Sequence, residues 1–450
     1  MERNAINFES EKVSTLFRKL LIPTLLGAVA LCIVTAIDGI FIGHGVGADG
    51  VAAVNIILPI YQIMSGIGLM VGAGCSVVAS IHLSRQNIRV ACINMTQAIV
   101  ATSLFAFLLC AATMTFPRQT ALILGTSDTL MQQVLNYLMW IMPAFIFEMW
   151  SLVGLFIIRL DGSPRYAMWC NIIPAMLNVV LDWLFIFPLD MGVKGAAIAT
   201  TISIAFGGIM AFAYLLFFAD KLRLTSVKLS KKSIRLSIRN MVYQCKIGSS
   251  TLFGELTLAV LVYVGNIVFM RYLGDAGVGA FGIACYYTPF FFMVGNAIAQ
   301  SAQPIISYNY GIARWREIKQ TRRLLLSTAF IMGASVSLLF VFFPEELVAL
   351  FVNIDGNAGR IAINGFPYYA LGIVFFISNV AVIGYYQSVE KIKKANLYVM
   401  LRGFVLLLPC FIAFPYMLGT EGIWLAMPFA EIMTSLIILA VFFFSRRGHA

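Results

Sequence analysis

Charge is scarce in this 450-residue sequence. Lysine, arginine, aspartate and glutamate together make up 11% of it, while 60% of the residues are hydrophobic. Soluble domains have about 25% charged and about 45–50% apolar residues, so this composition excludes a soluble globular protein. A mean hydropathy of +0.90 indicates an integral membrane protein. The apolar residues form long runs rather than alternating ten-residue segments, which predicts helices and not barrel strands.

Residues for metal or redox chemistry are also few. The three histidines are scattered along the chain, so no metal site is expected from them. The eight cysteines lie within or beside apolar runs and form no CxxC pair, which is typical of packed side chains and not of disulfides or metal ligands. A Walker motif is missing, so the chain is not expected to hydrolyse ATP. No catalytic residue and no cofactor are predicted, and the chain is not expected to be an enzyme.

What the sequence does contain is a series of twelve apolar runs. Each is long enough to cross a bilayer as a helix, which takes about 20 residues. No folded soluble domain fits between them. The predicted spans are 16–43, 50–82, 90–116, 131–158, 166–188, 193–219, 241–272, 276–308, 319–343, 361–388, 396–416 and 421–445.

The basic residues are distributed unequally between the loops. With twelve spans both termini lie on one side, and 27 of the 31 lysines and arginines fall at the termini or in the loops on that same side. The other side holds four: Arg118, Lys194, Arg271 and Arg360. Cytoplasmic loops carry the excess of Lys and Arg, so both termini are predicted to be cytoplasmic, in a plasma (inner) membrane. The net charge of +11 therefore reflects topology, and no nucleic-acid partner is expected.

The two halves of the chain repeat each other. GADGVAAVNI (47–56) matches GDAGVGAFGI (274–283) at five of ten positions, 227 residues apart. At the same offset, FPLDMGVKGAAIA (187–199) resembles FPYMLGTEGIWLA (414–426). One offset at both ends of each half indicates duplication. Six spans per copy give both copies the same orientation, which predicts an axis of pseudo-symmetry along the membrane normal.

These patterns predict an all-α polytopic membrane protein with 12 transmembrane helices in two pseudo-symmetric six-helix bundles. The N-lobe is expected at 1–219 and the C-lobe at 241–450. The connection between them, 220–240, is basic and amphipathic and is expected to lie on the anionic inner leaflet. Two such bundles with a cleft between them are typical of alternating-access transporters.

Two acids, an amide and a hydroxyl are predicted to share one level of the first half. Ionisable residues inside a bilayer should face a cavity or a partner. Counting from the helix ends at about 1.5 Å per residue places Asp38, Asp182 and Thr200 at the same depth, near the outer surface. Asn178 lies one turn from Asp182 on the same helix face. Such oxygens suit a small monovalent cation, or a proton shared by the two carboxylates. The alternative is that Asn178 and Asp182 only bond neighbouring helices.

Two further acids are expected nearer the middle of the membrane. Glu148 and Glu255 either line the cleft or are single satisfied acids. Four tyrosines are further candidates for the substrate cavity, the alternative being packed or lipid-facing side chains: Tyr61, Tyr137, Tyr263 and Tyr287. The segment GIGLMVGAGCS (66–76) is not a nucleotide-binding loop, since no strand precedes it; its small residues indicate close helix packing.

Several of these segments resemble the multidrug and toxic compound extrusion (MATE) transporters. The stretch 36–60, AIDGIFIGHGVGADGVAAVNIILPI, resembles their first two helices, and NVVLDWLFIF (178–187) with MGVKGAAIATTIS (191–203) resembles the fifth and sixth. GSPR (162–165) resembles their fourth-to-fifth loop and FGEL (253–256) their seventh-helix glutamate motif. The resemblance covers the full length, and the texture, including LRGFVLLLP, is closest to the MepA-like bacterial branch.

The resemblance implies an antiporter that exports lipophilic, often cationic, organic compounds in exchange for entering H⁺ or Na⁺. In DinF-like members the cation site is made by residues that match Asp38, Asn178, Asp182 and Thr200. NorM-like members use a seventh-helix glutamate, matched by Glu255, together with a tenth-helix aspartate. The tenth run here has no acid, so the resemblance favours coupling through the first half. A possible Na⁺ at the first-half residues is the only metal implied.

The expected partners are small drug-like organic molecules and membrane lipid, and the protein is expected to be a monomer. Two other functions stay open. A lipid-linked oligosaccharide flippase has the same architecture, but it typically carries a strongly basic central cavity, whereas the intramembrane charges predicted here are acidic. An uncoupled channel or a receptor would show no counter-transport.

Overall fold

The computed structural model describes residues 8–226 and 230–447. Residues 1–7 of the predicted N-lobe, 227–229 of the predicted linker and 448–450 of the predicted C-lobe lie outside the described residues. Throughout the described ranges the regular structure is helical, as the composition predicts.

Eight helices each correspond to one predicted span, and their ends lie within about four residues of the predicted ones. Their bounds are Val13–Gly45, Ala48–Ser84, Ile88–Thr115, Met131–Leu160, Pro164–Ile186, Gly192–Ala213 with the π-helical turn Tyr214–Phe218, Trp315–Phe342 and Asn357–Ser388. We refer to these as the first to sixth, the ninth and the tenth spans.

The remaining four spans form two long helical segments. Lys231–Gly311 is interrupted at Gly274, where φ is 62° and ψ is −158°. Ile392–Met400 continues through the π-helical turn Leu401–Val405 into Leu407–Arg447, which is interrupted at Gly419 with φ 63° and ψ −143°. Each glycine separates two spans, the seventh from the eighth and the eleventh from the twelfth. The described residues therefore contain the twelve transmembrane helices predicted, although two predicted loops are each reduced to a break at one glycine.

Two short helices were not predicted. Pro117–Ile123 follows the third span, and Pro344–Ala349 follows the ninth. Each begins directly after a phenylalanine with proline at its first position, where a missing N–H costs nothing because that donor has no helical acceptor. Their first residues, Pro117 and Pro344, are 227 residues apart, which is the offset of the internal repeat. The two short helices therefore belong to that repeat.

The chain forms two compact units. The first contains residues 1–252 and 307–315, and the second contains 253–306 and 316–450. Both ends of the helix Lys231–Gly311 thus belong to the first unit. The predicted linker 220–240 runs into the start of this helix, where Ser230 caps the first turn by accepting a hydrogen bond from the Ser233 amide.

In the first unit the fourth span is the central helix. It packs against the second, third and sixth spans, while the first span packs along the fifth. The second span also meets the start of the seventh helix at very close range. A Cβ atom on Gly74 would collide with the Gln244 carbonyl, and one on Gly248 would collide with the Met70 carbonyl. Small residues of the 66–76 segment thus allow close helix packing, as its sequence predicts.

In the second unit the tenth and twelfth spans pack together. Gly372 faces the backbone of Pro428, and Gly295 of the eighth span faces Val380 of the tenth. An aromatic cluster fills the region beside them, in which the Phe269 and Phe281 rings stack at 4.4 Å and the Trp424 ring meets Phe269 edge-on at 4.8 Å.

Candidate functional site

The structure brings Asp38 and Asp182 together. Their carboxyl groups face each other in hydrogen-bonding range. Two ionised carboxylates are both acceptors, so they can bond to each other only through a proton or a shared cation. Asp182 is completely buried, and Asp38 is partly buried, with its Oδ1 atom shielded from solvent.

Asn178 and Thr200 complete this group. The Asn178 amide nitrogen lies 3.5 Å from the Thr200 hydroxyl, at the outer limit of a hydrogen bond. Asn178 also lies beside Asp182 on the same helix. The Tyr137 hydroxyl reaches Thr200 and lies near both aspartates. All four residues of the predicted cation site therefore lie in one cluster, which also includes Tyr137.

The packing of the helices explains this arrangement. Asp38 lies on the first span and Asp182 on the fifth, and these two helices pack along each other. The sixth span carries Thr200 and packs against the fifth. Tyr137 comes from the fourth span, which packs on the sixth. Residues far apart in sequence thus reach one point, near the end of the first and fifth spans and the start of the fourth and sixth.

In the described parts of the chain, the aspartate pair lacks a positively charged partner. The neutral Asn178 amide lies beside Asp182, but no well-aligned hydrogen bond reaches Asp38 Oδ1 or either carboxylate oxygen of Asp182. Nor does a lysine, arginine or histidine of those parts form an ion pair with them. Buried charge is costly unless it is paired, so this site favours binding of a small cation from outside the chain. The cluster can share one proton between its carboxylates, or offer carboxylate, amide and hydroxyl oxygens to a monovalent metal ion.

The predicted cavity residues occupy different environments. Glu148 is 5% exposed and accepts a hydrogen bond of 2.6 Å from the Ser65 hydroxyl. Tyr61 is partly buried and lies beside Glu148. Tyr263 is 70% exposed. Tyr137 belongs to the aspartate cluster and is buried.

Two cavity candidates lie in the second unit. Glu255 is partly buried on the seventh span. The Tyr287 hydroxyl donates to the Leu347 carbonyl at 2.9 Å, and its ring packs edge-on against Phe340 and Phe351. Tyr287 thus joins the eighth span to the short helix Pro344–Ala349.

A buried ion pair in the second unit was not predicted from the sequence. Arg402 donates through Nε and Nη2 to Oε1 of Glu431, at 2.9 and 2.7 Å. The Asn379 amide donates to Glu431 Oε2 at 2.8 Å, and Ser435 donates to Asn379 Oδ1 at 2.8 Å. The guanidinium also lies over the Phe376 ring, 4.1 Å from its centroid.

This pair corrects the sequence analysis in one respect. Arg402 was counted among the basic residues of a cytoplasmic loop, whereas it is 2% exposed and lies inside the eleventh span, in the π-helical turn. Without Arg402, 26 lysines and arginines remain on that side against four on the other, so the predicted orientation is unchanged. A signal was present, because Arg402 lies within the apolar run 396–416 and Glu431 within 421–445. An intramembrane acid and base of opposite charge in adjacent spans indicate pairing.

Comparison with known proteins gives the family. The MatE family model matches residues 23–184 and 251–412, one match in each half. The multidrug export protein MepA of Staphylococcus aureus is 21% identical over 452 residues, covering 98% of this chain and 95% of MepA. An FAD transporter of Shewanella oneidensis is 25% identical over 438 residues, covering 92% of this chain and 90% of that transporter.

A solved structure has the same fold. The MATE multidrug transporter DinF-BH, determined as a complex, superposes with a TM-score of 0.85 and 27% identity, covering 99% of both chains. The family match in both halves agrees with the duplication and with the twelve helices. The chain belongs to the MatE family of transporters, the multidrug and toxic compound extrusion family.

Proposed function

We propose that this protein is a secondary active multidrug efflux antiporter. It exports lipophilic, often cationic, organic compounds in exchange for H⁺ or Na⁺ by alternating access. The observation that carries the proposal is the apposition of Asp38 and Asp182 in a buried cluster to which the described chain supplies no cation. The names of MepA and of DinF-BH, both described as multidrug transport proteins, support an organic substrate of drug-like size.

In the proposed cycle, Asp38 is the entry point for the coupling cation because it is the less buried of the two acids. The cation neutralises the pair, and Asn178 and Thr200 orient the bound state. Without the cation, two facing carboxylates repel each other, so the first and fifth spans take different arrangements in the loaded and empty states. Substrate and cation need only prefer different arrangements for one to displace the other.

The membrane potential supplies part of the driving force. Moving one charge across the membrane is worth about 2.3 kcal/mol per 100 mV. The proposed orientation has both termini in the cytoplasm of a cell with a plasma (inner) membrane, since 27 of the 31 basic residues, or 26 without the buried Arg402, lie on that side. We expect the protein to act as a monomer, because a single chain already supplies both six-span units that alternating access requires.

The test is transport of ethidium, a fluorescent organic cation, in proteoliposomes with a pH gradient and a Na⁺ gradient imposed separately. Ethidium movement against its own gradient, driven by one ion, supports the proposal and identifies that ion. Dye movement only down its gradient under both conditions indicates a channel and overturns it. Movement of a fluorescent lipid-linked oligosaccharide without dye transport indicates a flippase and also overturns it.

A further inference from the structure

Glu148 has an unusual position in the first unit. It lies on the fourth span, the central helix, and is 5% exposed. Its Oε1 accepts the Ser65 hydrogen bond, while the buried Oε2 has no hydrogen-bond partner in the described residues. A buried carboxylate with one unsatisfied oxygen is costly as an anion, because each oxygen needs a donor when water is excluded. A proton on Oε2 removes that cost.

Among the residues that the structure describes, no positive charge acts on Glu148. The side chains that face it come from the second span and are the hydroxyl groups of Ser65 and Tyr61. From the other spans packed against the fourth, no charged group of the described residues acts on it. Glu148 therefore differs from Glu431, which has a complete set of donors. The two donors near Glu148 are neutral hydroxyls, and neither forms a well-aligned hydrogen bond with Oε2.

Two tyrosines are near enough to these acids to interact with them electrostatically. Tyr61 interacts with Glu148 and with Tyr137. Tyr137 in turn reaches Thr200 and lies near Asp38 and Asp182. Tyr137 and Glu148 are eleven residues apart on one helix, or about 16 Å along its axis. Phenol hydroxyls both donate and accept hydrogen bonds, so Tyr61 and Tyr137 are suitable groups for relaying a proton between these acids.

We propose that Glu148 is a second proton-binding group of the first unit, which receives a proton from the Asp38–Asp182 pair by way of Tyr137 and Tyr61. The transfer leaves an aspartate carboxylate at the outer position and forms a carboxylic acid at Glu148, with no change in the number of protons or electrons. The proton then leaves Oε2 toward the cytoplasm. This inference rests on the proposed antiport function and on H⁺ as the coupling ion.

The test uses the full chain in proteoliposomes and the variant Glu148→Gln, which keeps an acceptor for Ser65 but cannot take up a proton as an acid. Two transport modes are compared with ethidium: uptake driven by a pH gradient, and exchange of dye for dye without a gradient. Exchange needs no net proton transfer. We expect the variant to lose most of the gradient-driven uptake and to keep the exchange, while the exposed control Glu346→Gln keeps both.

Infrared difference spectra on acidification give a second readout, which would not change on substitution if Glu148 had only a structural role. One protonated-carboxyl band should disappear in Glu148→Gln and remain in Tyr61→Phe, in which gradient-driven uptake should fall severalfold. If wild-type uptake follows the pH gradient and Glu148→Gln shows the same uptake and the same bands, this inference is wrong while the antiport function stands. If the wild type shows no ion-driven uptake, the proposed function itself fails. Uptake driven by Na⁺ alone overturns only the inference.

Discussion

Gly47 and Gly274 stand 227 residues apart, and both have a positive φ, 88° and 62°. Each lies where the chain reverses after the first span of its half. The same offset relates two further pairs with positive φ, Gly192 with Gly419 and Gln86 with Ala313. The duplication seen in the sequence is therefore also present in the backbone, because both copies turn at the same positions with the same handedness.

Gly274→Ala should destabilise the protein through the backbone alone. An added Cβ would meet nothing within 4 Å, but φ 62° with ψ −158° lies in a region that is essentially restricted to glycine. The expected cost is about 1–3 kcal/mol. Gly282→Ala is the matched control, since it also has open space and lies within the helix. A thermal midpoint that falls equally in both variants would contradict the assignment.

Asp38→Asn should abolish ion-driven export and leave folding intact. The amide has nearly the same shape as the carboxylate but is always uncharged. Binding of H⁺ or Na⁺ therefore no longer changes the charge at this position, and the proposed coupling is lost. Dye uptake into proteoliposomes should fall to the level of liposomes without protein. The exposed Asp355→Asn should retain uptake. Full ion-driven uptake in Asp38→Asn would remove the aspartate pair from the coupling mechanism.

Hydropathy was sufficient to predict the spans because a helix that crosses lipid needs an uninterrupted apolar run. It could not predict that the seventh and eighth helices are separated by Gly274 alone, because hydropathy carries no information about backbone dihedral angles. The short helix at Pro117 was missed for a related reason: seven residues are too few for a periodic pattern to be recognised.

The candidate site was predictable to a similar extent. Depth counting placed Asp38, Asp182 and Thr200 at one level because the rise per residue is fixed along a helix. It could not place Arg402 against Glu431, which are 29 residues apart on different spans. Whether an intramembrane charge is paired depends on how the helices are rotated about their axes. That rotation depends on how side chains pack between the helices, which hydropathy does not record.

The close approach of the second span and the seventh helix gives a further prediction. Gly248→Ala would place a methyl group against the Met70 carbonyl, which cannot move without shifting the helix. Overpacking of this kind costs about 1–3 kcal/mol. Gly39→Ala, on the first span, meets nothing within 4 Å and should leave the thermal midpoint nearly unchanged. If Gly248→Ala has the same midpoint as Gly39→Ala, the two helices are farther apart than described.

Removing one member of the buried Arg402–Glu431 pair should lower the free energy of unfolding more than removing both members. Arg402→Met leaves Glu431 buried without its ion partner, at a cost of about 3–5 kcal/mol. The double variant Arg402→Met/Glu431→Met should regain most of that stability, since it leaves no buried charge. Lys19→Met is the matched control, because the Lys19–Glu11 pair has the same 2.7 Å separation at a more exposed position. Its loss should cost about 1 kcal/mol or less.

A double variant that is no more stable than Arg402→Met would contradict this account. Chemical unfolding followed by tryptophan fluorescence measures all three variants on one scale.

The Arg402–Glu431 pair also bears on how the two halves have diverged. The Arg402 guanidinium is a counter-ion fixed to the eleventh span, so the charge of Glu431 is balanced within the chain itself. In the first unit, the described residues supply no such base to Asp38 or Asp182. The two copies thus treat a buried acid differently, one with a base carried by a neighbouring helix and one without.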